Sequence, residues 1–383
     1  MIPLSVPSIS GNEWKYVKEC LDTEWVSSAG KYVDLFEHKI SEYTGAKYAV
    51  ACVNGTSALH VSLRLAGVQP EDEVIMPTLT FIAPVNAIAY NSGNPIFMDV
   101  DQYYNLDTEK TIDFIQNETV FKDGNTYNKK SKKRISAIVP VHMWGNAVWL
   151  DELVPLCNDR NIAVVEDSSE SLGSFYTEGK HKGSHTGTIG RLGCLSFNGN
   201  KIITTGGGGM IFSNDEKLAE KALYLTTQAK DDPIRYIHHE IGYNFRLTNI
   251  QAALGVAQLE QLPNFLEHKR EIFHKYQTAL NDVDGLMIAD IPGYAENNCW
   301  MVLLQIDKEV YGENRESLMQ RLKGNGIQTR PVWALNHLQK PYRDCQTYKI
   351  DRAEKLLEIS ICIPSSNQIT NKDLCKVIDC LHR

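Results

Sequence analysis

The sequence predicts an α/β fold built on a mostly parallel sheet, and three observations carry that reading. Short β-branched apolar runs alternate with helical stretches along the first two thirds of the chain. Those runs are nearly continuous in hydrophobicity, as strands covered on both faces must be. At 383 residues the chain has room for a large domain and a smaller one.

In order, Tyr48–Val53 reads as a strand, followed by Asn54-Gly55-Thr56 and a helical run from Ser57 to Ala66. Glu73–Met76, Pro95–Asp99, Ile135–Val141 and Asn161–Glu166 read as further strands. The seven-stranded type of sheet then continues around Cys194 and Phe212. Between Asp113 and Arg134 the chain turns polar, with Lys129, Lys130, Lys132 and Lys133 close together, and reads as an exposed, solvated insertion. From Ile250 to Lys269 apolar residues recur on one helical face, in the manner of a helix that links two domains. Beyond it, Trp300–Gln305 and Ile361–Ile363 read as strands and Arg315–Gly324 as a helix. The expected division is 1–255, a large domain, and 256–383, a smaller α+β domain.

Composition excludes several classes of function. Hydrophobic residues at 43% and charged residues at 22% are the balance of a soluble globular protein. No apolar run approaches a membrane span, and the first residues lack a basic and then apolar leader. A net charge of −8 argues against nucleic-acid binding. The nine scattered cysteines contain no Cys-x-x-Cys pair, so neither a disulfide framework nor a zinc site is expected. They fit a reducing, cytoplasmic setting.

Three segments carry chemistry. The strand Val164-Val165-Glu166-Asp167 ends in a carboxylate, which a parallel sheet presents at its ligand-binding edge. Lys201 lies in a loop before Gly206-Gly207-Gly208-Gly209, and four glycines imply unusual dihedrals or close backbone approach. Asn54-Gly55-Thr56-Ser57 stands at a strand-to-helix junction, where free amides and hydroxyls suit a phosphate. It lacks the Gly-Lys-Ser/Thr of a Walker loop. Each segment has a bland reading as cap, turn or surface lysine. Together they are the parts that pyridoxal 5′-phosphate (PLP) needs: a phosphate cradle, a carboxylate for the pyridine nitrogen, and a lysine for the aldehyde. Phe81 could stack on the ring.

The chain also resembles the DegT/DnrJ/EryC1/StrS sugar aminotransferases, which are fold-type-I PLP enzymes. The resemblance runs through Trp25–Ser28, Asn54–Leu59, Thr80–Ala83, Pro140–Gly145, Val165–Gly173, Ser196–Lys201, Gly242–Arg246, Gln251–Gly255 and Arg330-Pro331. It implies that Lys201 bonds the cofactor and that Asp167 pairs with its pyridine nitrogen. Gly55, Thr56, Ser57 and Ser196 would hold the phosphate. Asn244 would reach the cofactor of a neighbouring subunit, which implies a homodimer. Arg246 would meet an anionic part of a substrate. Glu170 stands where many members carry Gln near the cofactor's 3-oxygen, so local hydrogen bonding differs here.

Within the family, Phe197–Gly209, Pro140–Gly145 and Arg330–Trp333 look most like the LegC-type branch. That implies L-glutamate as donor and a nucleotide-linked 4-keto-6-deoxy-N-acetylhexosamine as acceptor, UDP-linked or GDP-linked. A 3-keto sugar aminotransferase is an alternative. A PLP sugar dehydratase is another, although those members replace the lysine by histidine. From a different class, a non-catalytic regulator on the same scaffold would lack the lysine or carry a DNA-binding motif. His142, Trp333 and His337 are candidates for the sugar pocket, with packing roles as the bland alternative. Arg330 could bind the glutamate carboxylate or simply a helix end. The histidines have no carboxylate or cysteine cluster around them, so no metal is expected.

Overall fold

The computed structural model describes residues 1–232 and 234–382. Its principal sheet runs in the order Tyr48–Cys52, Gly209–Ser213, Leu192–Ser196, Ala163–Asp167, Arg134–Ile138, Glu73–Pro77, Asn94–Met98. Gly209–Ser213 is antiparallel to both neighbours and the other strands share one direction. All the parallel strands therefore end at one edge.

The strands are apolar on both faces because both are covered. Val74, Met76, Phe97, Ala137 and Val165 face one core with the helices Lys31–Thr44, Gly55–Leu65 and Ile82–Tyr90. Their chain neighbours Ile75, Ile96, Met98, Ile138 and Val164 face a second core with Thr108–Asn117 and Leu153–Asp159. The two-residue period of a strand divides a continuous apolar run between two cores.

A 32-residue helix, Asn249–Leu280, starts with a capping box in which Thr248 and Gln251 satisfy each other's backbone N–H groups. It begins in the first core, through Ala252 to Leu266, and ends in a third, through Ile272 to Leu280. The third core belongs to an antiparallel sheet of Leu286–Ile288, Val302–Ile306, Ser360–Ile363 and Arg330–Pro331, covered by Arg315–Gly324 and Asn371–His382. Several crossings tie this smaller unit to the rest, among them the pairing of Ala295–Glu296 with Phe175–Tyr176. Gln346–Tyr348 adds a parallel strand beside Asn94–Met98. At the other end of the chain, Ile2 bridges Ile327 and the Leu4 N–H donates to Gln328 Oε1 at 3.0 Å.

The polar insertion is exposed and its lysine run lies in a solvated turn, as composition suggests, but the residues before that run are regular structure. Thr119–Lys122 and Asn125–Asn128 form a hairpin that pairs with the start of Arg134–Ile138. Asp123 and Gly124 turn it with φ of 51° and 75°, the left-handed pair of a tight hairpin turn. No described helix is long and apolar enough to cross a membrane.

Candidate active site

At the carboxyl edge of the sheet a cavity of about 260 Å³ is lined from four directions. Asn54, Gly55 and Thr56 come from the end of the first strand, and Thr80 and Phe81 follow the Glu73–Pro77 strand. Asp167, Ser169, Glu170, Ser196, Asn198 and Lys201 follow the two central strands. Trp300 and Trp333 arrive from the smaller sheet.

The Asn54 side chain caps the helix Gly55–Leu65 by accepting the Ser57 N–H at 2.8 Å. Gly55 and Thr56, in the first turn, have no intrahelical acceptor for their own N–H groups. A Cβ on Gly55 would lie 2.9 Å from Ser196 Cβ and 3.2 Å from Ser169 Oγ. Only glycine lets this turn approach the Ser196 strand. The glycine run serves the same closeness: Gly206 takes φ +78°, and a Cβ on Gly209 would stand 2.5 Å from the Asn54 backbone.

Asp167 is buried at the strand end, and its Oδ1 accepts the Ser169 N–H at 3.0 Å. Lys201 Nζ lies 3.3 Å from Glu170 Oε1 and 4.2 Å from the centroid of the Trp300 ring. Glu170 Oε2 accepts the Trp144 N–H at 2.9 Å. Burial raises the Glu170 pKa above the ordinary carboxylate value, while the Lys201 charge pulls it the other way. Phe81 is half exposed and meets Trp333 edge-on at 5.4 Å. This donor set suits PLP: backbone N–H groups and hydroxyls for a phosphate, a strand-end carboxylate, one amine, and an aromatic face.

Other expected residues are elsewhere. Ser57 is buried behind the cap rather than on the cavity wall. The Arg246 guanidinium pairs with both oxygens of Glu37, with Nη2–Oε2 at 3.1 Å, and so is committed within the chain rather than to a substrate. His142 is fully buried and does not face the cavity. Its Nδ1 accepts the Val148 N–H at 3.1 Å, which leaves Nε2 to donate to Glu166 Oε2 at 2.9 Å. Glu166 also accepts N–H bonds from Gly187 and Ile189. Burial opposes its charge, but the bonds from His142 and the backbone prevail and lower its pKa. His337 Nδ1 holds Thr78 Oγ1 at 2.6 Å, beneath the Thr80-Phe81 loop rather than in the pocket, and burial lowers its pKa. Arg330 is exposed on its strand and lies outside the cavity wall, as does the exposed Asn244. Trp333 is on the wall. Sequence reasoning passed over Trp300, Ser169 and Asn198. Among the described residues no group of three or more His, Cys, Asp or Glu side chains is placed to hold a metal.

Such a sheet edge, with this lysine, carboxylate and helix start around one cavity, defines a fold-type-I PLP enzyme. The model of the DegT/DnrJ/EryC1/StrS aminotransferase family matches residues 7–382. EpsN of Bacillus subtilis (strain 168), named as an inferred pyridoxal phosphate-dependent aminotransferase, is 37% identical over 99% of this chain and 95% of its own. A GDP-perosamine synthase of Escherichia coli O157:H7 is also 37% identical, over 100% and 98%. The solved structure of the aminotransferase TlmJ from Streptoalloteichus hindustanus matches with a TM-score of 0.88 at 27% identity, covering 100% of this chain and 98% of that one. The chain belongs to the DegT/DnrJ/EryC1/StrS aminotransferase family and is a PLP-dependent sugar aminotransferase.

Proposed function

We propose that this enzyme moves the amino group of L-glutamate to C4 of a nucleotide-linked 4-keto-6-deoxy sugar. The observation that carries the proposal is the single lysine amine, Lys201 Nζ, set between a carboxylate and an aromatic face at the sheet edge. Lys201 would hold PLP through its aldehyde, Asp167 through the pyridine nitrogen, and Gly55, Thr56 and Ser196 through the phosphate. When bound, the cofactor supplies an electron sink that stabilises charge at a carbon losing its proton. Lys201 Nζ would take the α-proton of the donor and hand it to the cofactor's former aldehyde carbon, and in the second half-reaction would take a proton from that carbon and deliver it to C4 of the sugar. A positioned base of this kind contributes about 10²–10⁴ in rate. Phe81, Trp300 and Trp333 line the cavity with apolar surface and limit the access of water.

For the acceptor, the LegC-type resemblance supports a UDP-linked 4-keto-6-deoxy-N-acetylhexosamine, used for glycans of the bacillosamine or legionaminic-acid type. A GDP-linked sugar is the second reading, and the relatives named GDP-perosamine synthase favour it. We also place the working enzyme as a homodimer in which Asn244 serves the neighbouring subunit's site.

The test is the visible absorbance of PLP-loaded protein, read before and after L-glutamate and then after each keto sugar. Loss of the band with glutamate and its return with the UDP sugar supports the first reading. Return only with the GDP sugar selects the second. No response to glutamate removes the donor assignment, and turnover by Lys201→Ala removes the role of Lys201.

A further inference from the structure

Trp300 is the one aromatic residue on the cavity wall that faces the lysine amine, and it is fixed from several sides. Its backbone N–H donates to Asn298 Oδ1 at 3.0 Å. Its carbonyl accepts Lys269 Nζ at 2.9 Å and Ser365 Oγ at 3.3 Å. Its indole Nε1 donates to the Asn200 carbonyl at 2.6 Å, which ties the ring to the residue before Lys201. The residue is 1% exposed. The amine also meets Glu170 Oε1, itself held by the Trp144 N–H through its partner oxygen.

We propose that Trp300 and Glu170 form a holding site for the Lys201 amine whenever that amine is not bonded to the cofactor, with Trp300 as a positioning residue. The proposal rests on the role given to Lys201 above. A lysine side chain has four sp³ torsions with three staggered wells each, on the order of 80 conformers. Once it has taken the proton the released amine is an ammonium, and one free to sample them would rarely be where the proton must be delivered. Attraction to an indole face and to a carboxylate selects the few conformers that keep Nζ in the cavity. The bond from Nε1 to Asn200 keeps the platform and the lysine loop in register, so the amine returns to the same place in each half-reaction.

The first measurement uses cofactor-free protein. Lys201 is labelled with an acylating reagent, its rate is read by peptide mass spectrometry, and exposed Lys182 serves as the internal reference. Trp300→Leu should speed Lys201 labelling about two- to thirtyfold, the range set by such contacts. Trp300→Phe, which keeps an aromatic face, should stay within about threefold of the wild type. In loaded enzyme Trp300→Leu should lower kcat with little change in KM for glutamate, and Trp300→Phe should recover most of it. Unchanged labelling in Trp300→Leu, or equal acceleration in Phe and Leu variants, overturns the proposal. If Trp300→Leu does not fold, Glu170→Gln takes its place: faster labelling of Lys201 supports the holding site and an unchanged rate overturns it. Failure of the Lys201 reading itself is separate, since it appears as turnover in Lys201→Ala whatever the labelling rates are.

Discussion

Lys269 Nζ donates to the carbonyl oxygen of Trp300 at 2.9 Å, from a side chain buried in the middle of the long helix. The same nitrogen reaches the Ser365 carbonyl. Burial lowers its pKa from 10.5 to about 7. A neutral amine keeps two N–H groups, one for each carbonyl, so both acceptors stay satisfied without a buried charge.

Lys269 should therefore give the fold a distinctive pH dependence. Its folded pKa is depressed, so between about pH 7 and 10.5 the unfolded chain binds the extra proton. Stability contributed by this group rises with pH across that window, at up to about 1.4 kcal/mol per unit, and its penalty is complete below about pH 7. Lys269→Met should lose that rise. Urea midpoints over the window check it, and parallel curves for variant and wild type would count against it.

Gly55→Ala should weaken PLP binding by about tenfold or more and cost about 1–3 kcal/mol, because the new Cβ meets Ser196 Cβ at 2.9 Å and the Leu195 carbonyl at 3.4 Å. Cofactor titration and thermal melts measure the two effects. Wild-type affinity in this variant would mean the phosphate is held elsewhere.

Arg246→Met should destabilise the protein by about 2–4 kcal/mol, since it leaves the mostly buried Glu37 carboxylate without its counter-charge and with only the Ala51 N–H as a partner. Its KM for glutamate should change by less than about twofold. The opposite pattern, intact stability with a tenfold higher KM, would return Arg246 to the substrate.

What the sequence revealed depended on how local each signal was. Lys201, Asp167 and Thr56 stood out because strand ends and helix starts concentrate such chemistry in short motifs, whereas Ser196 entered only through the family resemblance. The glycine run was read as a close approach, and Gly209 against Asn54 is that approach. Trp300 was not legible, since it opens an apolar strand-like run and reaches Asn200 across 100 positions. Arg246 has its partner 209 positions away, so no window of sequence could show it committed. His142 was read with packing as the favoured role, and Glu166, on the adjacent strand, supplies the partner for it. The hairpin at Asp123-Gly124 did leave a signal, a turn dipeptide between two β-rich runs. The surrounding lysines obscured it.

The pairing of Leu4 with Gln328 spans 324 positions and sets an order on synthesis. At about 5–20 residues per second, Leu4 leaves the ribosome roughly 15 to 65 s before its partner exists. The core that contains Ile2 also contains Leu381, so it cannot close until position 381 has been made. The strands from Tyr48 to Ser213 can assemble during translation, while the smaller unit, and with it Trp300, joins them later. A stalled or shortened chain would thus carry Lys201 on a formed sheet edge with one wall of its cavity missing.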